Sequence, residues 1–157
     1  MTRELKQEYT LRISQANSTQ LVVIIYEMLL DYLKEGREAL SVSDIENFHD
    51  SIRRATGCIR ELSSSINNNT NISGNLFSLY VYCIKELARA DLHHTVEELY
   101  NVELVIRKLY EAYKEATKDD MSSPIMNNTQ LVYAGLTYGK ESLIVNLNSS
   151  SSRGFVV

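Results

Sequence analysis

The chain predicts an all-α fold, an antiparallel up-down four-helix bundle with an N-terminal arm and a C-terminal extension. Three observations carry this. Proline is absent before Pro124, so no residue in the first 120 lacks its amide donor. Apolar side chains recur at alternating steps of three and four, the period of a helix face turned to a core. Capping sequences stand in front of several of these periodic segments. The division that follows is an arm over residues 1–17, a bundle over 18–120 and a tail over 121–157.

The first predicted helix spans about 18–40. Asn17 or Ser18 can accept from its unpaired first-turn amides. Gln20, Glu27, Asp31, Lys34 and Glu38 mark one polar stripe, read as the solvent side, and nearly everything else from Leu21 to Leu33 is apolar. A helix apolar around most of its circumference must touch more than one neighbour.

The second spans about 44–66, opened by a capping box, Ser43-Asp44-Ile45-Glu46. Its seam is Ile45, Phe48, Ile52, Ala55, Ile59, Leu62 and Ile66. The run INNNTNISGN breaks it with a polar loop. The third spans about 73–90, with Leu76, Leu79, Tyr80, Cys83, Ile84 and Leu87 on one side, broadened by Phe77, Val81 and Ala88. A break near Asp91–His94 leads to another capping box, Thr95-Val96-Glu97-Glu98. The fourth helix, about 95–118, carries Leu99, Val102, Ile106, Leu109, Tyr113 and Ala116. In the tail, LVYAGLTYGKESLIVNL shows no clear period and SSSSRG is low-complexity, so a partly disordered appendage is expected; packing of Leu131, Tyr133, Leu136 and Tyr138 on the bundle is the alternative.

Composition excludes several function classes. At 157 residues, 44% hydrophobic, 23% charged and a net charge of −4, the chain reads as a single soluble domain. A weakly acidic chain is poorly suited to nucleic acid, which needs concentrated Lys and Arg. Arg53, Arg54 and Arg60 are interleaved with Glu46, Asp50 and Glu61, which is a solvated face. Leu21–Leu33 is too short to span a membrane and holds Glu27 and Asp31. The charged start MTRELKQEYT lacks the apolar core of a signal peptide, and the two cysteines, Cys58 and Cys83, have no disulfide-rich spacing; both point to the cytoplasm.

No catalytic constellation stands out, so no enzyme, cofactor or metal is expected. Glu46-Asn47-Phe48-His49 has the Glu-x-x-His spacing of di-iron bundles, which need it on two helices; here it occurs once. His93 and His94 diverge at a bend, and Cys58 and Cys83 read as buried small hydrophobes. What remains is surplus apolar helical surface, which suits a helical partner.

Two stretches, SQANSTQLVVIIYEMLLDYLKEGREAL and NLFSLYVYCIKELARADLHHTVEEL, together with VIRKLYEAYKEATKDD, resemble the flagellar export chaperones of the FliS family. The resemblance covers about residues 9–120 and rests on order and spacing. Ile25-Tyr26-Glu27 stands where the family has a Leu-Tyr-Asp-like centre, Ala90-Asp91 where it has an Ala-Asn step, and Tyr113 where it often has Trp. It implies a cytosolic bundle that binds the C-terminal region of flagellin, prevents premature polymerisation and assists delivery to the export apparatus. Contact with export-apparatus components or a co-chaperone goes with that expectation, as does a monomer or weak homodimer. The candidate groove is Ile24, Ile25, Met28, Leu76, Tyr80, Ile84 and Leu87, with groove and core not separable from sequence. Ser14-Gln15-Ala16-Asn17, running into Leu21, Ile24 and Ile25, is similar to flagellin C-termini, and with Ile13 it makes up the candidate covering segment. The arm is therefore expected either to cover the groove in the empty protein or simply to cap the first helix. A helical adaptor or dimerisation module for another partner is the alternative function.

Overall fold

The chain's computed structural model describes residues 1–66 and 71–126. They form five helices: α1 (Arg3–Gln15), α2 (Ser18–Ser41), α3 (Ile45–Ser64), α4 (Asn71–His93) and α5 (Glu97–Ala116). No strand occurs among the described residues. The predicted loop residues 67–70 and most of the tail, including Leu131, Tyr133, Leu136 and Tyr138, lie outside them.

Helices α2 to α5 form the bundle as a ring, each packed on its sequence neighbours, with α5 closing on α2. Cross-helix pairs set the directions. On α2 and α5, Glu27 meets Tyr110 and Arg37 meets Glu103, so residue numbers fall on one helix as they rise on the other. Between α4 and α5, buried Glu86 accepts from Asn101 at 3.2 Å, and Arg89 on its own helix also donates to it. Adjacent helices are antiparallel, as short links dictate.

The core is the set of side chains that the seams mark out. Leu29 and Leu33 of α2, Phe48, Ile59 and Leu62 of α3, Tyr80 and Leu87 of α4, and Leu99, Val102 and Ile106 of α5 are all buried in one cluster. Gly36 lies where three helices approach closely: a methyl group there would meet Leu99 at 3.5 Å and Ser51 at 3.6 Å. Both are ordinary contacts, so the position is tight without being closed to alanine.

Four local expectations need correction. The arm is itself a helix, because Thr2 accepts from the Leu5 amide and neither Gly nor Pro interrupts the segment that follows. The cap of α3 is Asp44, which accepts from the Asn47 amide; Ser43 sits at φ 59° in the preceding turn and cannot serve. Thr95 gives its hydroxyl to the Glu98 carboxylate instead of accepting a backbone amide, and α5 starts with no side-chain cap bond. The third predicted helix, ended at about residue 90, runs on to His93, and the chain turns at His94, φ 52°, within the expected break. There His49 and Asp91 pair at 2.6 Å across α3 and α4, which accounts for the histidine of the Glu-x-x-His step.

Candidate functional site

The site is built around α2, whose N-terminus is fixed by a reciprocal capping box. The Gln20 amide donates to Asn17 Oδ1 at 2.8 Å, and the Asn17 amide donates to Gln20 Oε1 at 3.0 Å. From this start α2 shows two different sides.

One side is covered by α1. Tyr9, Ala16 and Ile24 form a small buried cluster, with Met1, Leu5, Ile13, Leu21 and Met28 packed around it. Polar bonds flank it: Tyr9 donates its hydroxyl to Asp31 Oδ2 at 2.6 Å, and Arg12 pairs with Glu27. Glu27 also accepts from Tyr110 of α5 at 3.1 Å. Two members of the expected solvent stripe thus hold α1 in place. Alternation of polar and apolar positions marks such residues as outward-facing, and nothing in it shows that a further helix lies outside. Burial and the Asp31 contact push the Tyr9 phenol far above its ordinary range, so it remains a donor.

The other side opens at one end of the bundle into a cavity of about 460 Å³. Leu21, Val22 and Ile25 of α2, Leu62 and Ile66 of α3, Leu76 and Tyr80 of α4, and Tyr113 of α5 line it, with Ile125 at the rim. Behind its wall, the Tyr26 and Tyr80 hydroxyls share a hydrogen bond at 2.5 Å, and the Tyr26 and Tyr113 rings lie 5.5 Å apart. Burial raises the Tyr80 phenol to about 12 and the Tyr26 phenol further still. Both are neutral polar links in an apolar setting.

The seven candidate groove residues divide between these settings. Ile24 is buried beneath α1, and Met28 bridges the α1 cluster and the core. Ile25 and Leu76 are half-buried cavity residues. Tyr80 is 1% exposed, in the core and in the cavity wall at once. Ile84 is half-buried against the core, and Leu87 lies wholly inside it. Of the five arm residues, Ile13 and Ala16 pack over Ile24, and Ser14 bonds back to the Leu11 carbonyl. Gln15 borders a depression of about 350 Å³ shared with Arg12, Gln20 and Val23, and Asn17 caps α2. Sequence reasoning missed Leu21, Val22, Leu62, Ile66 and Tyr113 as cavity residues, since periodicity assigns the last three to seams and leaves the first two in the broad apolar surface of α2. The coincidence of four helix ends is a tertiary fact.

The arrangement offers apolar surface rather than reactive groups. Burial raises the Cys83 thiol to about 12 and the Cys58 thiol to about 11, so both are protonated at neutral pH. Among the described residues no cluster of His, Cys, Asp and Glu is placed to hold a metal ion, and no helix is long and apolar enough to cross a membrane.

A curated relative, the Flagellar secretion chaperone FliS of Bacillus subtilis (strain 168), is 22% identical over 108 residues, covering 69% of this chain and 81% of its own length. The family model described as Flagellar protein FliS matches residues 1–120, the span that holds all five helices and every residue of the apolar cavity named above except Ile125. By that match, the chain belongs to the FliS family of flagellar proteins.

Proposed function

We propose that this protein is a cytoplasmic flagellar secretion chaperone without enzymatic activity, whose client is the C-terminal segment of flagellin. Family membership supports the chaperone reading. One observation carries the client site: α2 has an apolar side covered by a helix that buries little of itself. In α1, Tyr9 is the only buried residue between Arg3 and Gln15. An amphipathic client helix could take the same seat on Leu21, Ile24 and Met28, and its flanking chain could reach the cavity beside Ile25, Leu76 and Tyr80. Binding of this kind distributes affinity over several apolar anchors.

In this reading α1 is a self-cover. It hides apolar surface that would otherwise favour aggregation, and the client must displace it, which lowers apparent affinity by the fraction of time the seat is open. Shielding the client's amphipathic end would prevent premature polymerisation until delivery to the export apparatus.

Calorimetry with full-length flagellin and with flagellin lacking its C-terminal segment tests the client. Binding should require that segment; equal binding of both forms would refute the assignment. Deleting residues 1–15 tests the cover. The deletion should tighten binding by roughly tenfold, about 1.4 kcal/mol, whereas unchanged or weaker binding would assign α1 a role in folding or in client contact. A stable dimer by light scattering, with no flagellin complex, would favour the adaptor reading.

A further inference from the structure

Residues 120–125, past α5, stay against the bundle. They run back across the junction between α1 and α2 and bond to it repeatedly. The Ile125 amide donates to the Ala16 carbonyl at 3.0 Å. Asn17 Nδ2 donates to the carbonyls of Asp120 at 3.4 Å and Ser122 at 3.3 Å. The Thr19 hydroxyl donates to Asp120 Oδ2, while Asp120 Oδ1 accepts from the Ser122 amide at 2.9 Å. Ala16 and Asn17 are 3% and 2% exposed, so these contacts satisfy polar groups that water barely reaches.

Asn17 is the shared part. Its side-chain oxygen caps α2 and its side-chain nitrogen holds the segment, so the hinge of the arm and residues 120–122 meet at one residue. Ile125 meanwhile stands at the rim of the apolar cavity. It is 55% exposed, which makes it a partial occupant. Two long hydrogen bonds from Asn17, one backbone bond to Ala16, one solvent-reached hydroxyl–carboxylate bond from Thr19 and a half-seated aliphatic side chain form a contact of few members, which a better ligand can replace.

We propose that residues 120–125 are a built-in latch: they occupy the mouth of the end cavity, clamp the Ala16–Asn17 hinge, and release α1 when an extended apolar peptide takes their place. The latch dictates the chemistry of the displacing ligand. It must present an aliphatic side chain to Leu21, Ile25 and Leu76, and offer a backbone N–H to the Ala16 carbonyl that Ile125 vacates. The helical part of a client would then enter the seat of α1 after its extended part has opened the hinge. This order of events rests on the chaperone reading above; the latch itself does not.

Asn17→Asp is the discriminating variant. It keeps the acceptor that caps α2, since Asp is also a good cap, and removes both donors to the latch. A second variant, Thr19→Val with Asp120→Ala, cuts the latch from its other side and leaves Asn17 untouched. Hydrogen exchange is measured on the full-length chain without client. Amides of residues 5–15 should exchange at least about tenfold faster in both variants, with α3 and α5 unchanged. Ile125→Ala should increase the fluorescence of the apolar dye anilinonaphthalene sulfonate by opening the cavity mouth. Unchanged exchange in α1 for both variants overturns the proposal, whether or not flagellin binds. Faster exchange in a protein that binds no flagellin supports the latch and removes the client assignment instead.

Discussion

Helix α2 is packed by α3 on one side and by α1 on another, and the two packings differ in kind. Seven residues of α3 are buried, and five of them, Phe48, Ile52, Ala55, Ile59 and Leu62, sit on the seam. Only Tyr9 of α1 is buried, and polar bonds from Tyr9 and Arg12 flank the apolar contact. Fully burying one large apolar side chain is worth about 1.5–3 kcal/mol, whereas an exposed or half-exposed ion pair adds at most about 1 kcal/mol. Helix α3 is therefore part of the folding unit, whereas α1 is held by fewer buried side chains, and its release by a client is the step the proposed function requires. A protein that must both stay folded and expose an apolar seat needs this division.

Substitutions can break or sharpen that contrast. The largest effect is expected from Leu29→Ala, which empties a fully buried site facing the core. It should lower stability by roughly 3 kcal/mol in denaturant unfolding. A much smaller loss would mean that the inner packing is no firmer than the outer. Tyr80→Phe comes next. It leaves the Tyr26 hydroxyl buried without its partner and should cost about 1–3 kcal/mol. The readout is a thermal melt, because Tyr80 lies in the core; a change in flagellin affinity with an unaltered melt would move it to the groove. Tyr9→Phe keeps the ring on Ile24 and deletes the bond to Asp31. Exchange in α1 should rise, with global stability changed by less than about 1 kcal/mol. A two-state loss of the whole fold would show that α1 belongs to the folding unit.

The smallest effect has the opposite sign. Gly57 sits inside α3, and a methyl group there would meet nothing within 4 Å. Gly57→Ala should stabilise the protein by about 0.5–1 kcal/mol, by relieving the entropy cost of glycine in a helix. Exchange in α1 should not respond, since the added stability belongs to the inner unit.

Legibility from the sequence followed the same division. The seams of α3 and α5 read directly, because residues buried against a constant neighbour repeat at the helical period: Phe48, Ile52, Ala55, Ile59 and Leu62 on one, Leu99, Val102 and Ile106 on the other. The start of α2 read as well, since Asn17 is a strong local cap. Errors gathered where a residue serves a distant partner. Glu27 and Asp31 looked like solvent positions and are anchors for α1. Thr95 is a different, local case: it looked like a backbone cap and bonds the Glu98 side chain three residues on. Leu87 looked like a groove residue and lies in the core, since an apolar stripe does not reveal which of its members face an opening.

By itself the sequence determined the all-helical class, the helix count of the bundle and most of its inner seam, because hydrophobic periodicity and capping act over a few residues and need no knowledge of the rest of the chain. Only the tertiary structure decided that the arm lies along α2, that four helix ends enclose an apolar cavity, and that residues 120–125 close back on Asn17. The bond from Asn17 to Ser122, for one, joins positions 105 residues apart. Their partners are set by the three-dimensional path of the chain, which leaves no local period to read.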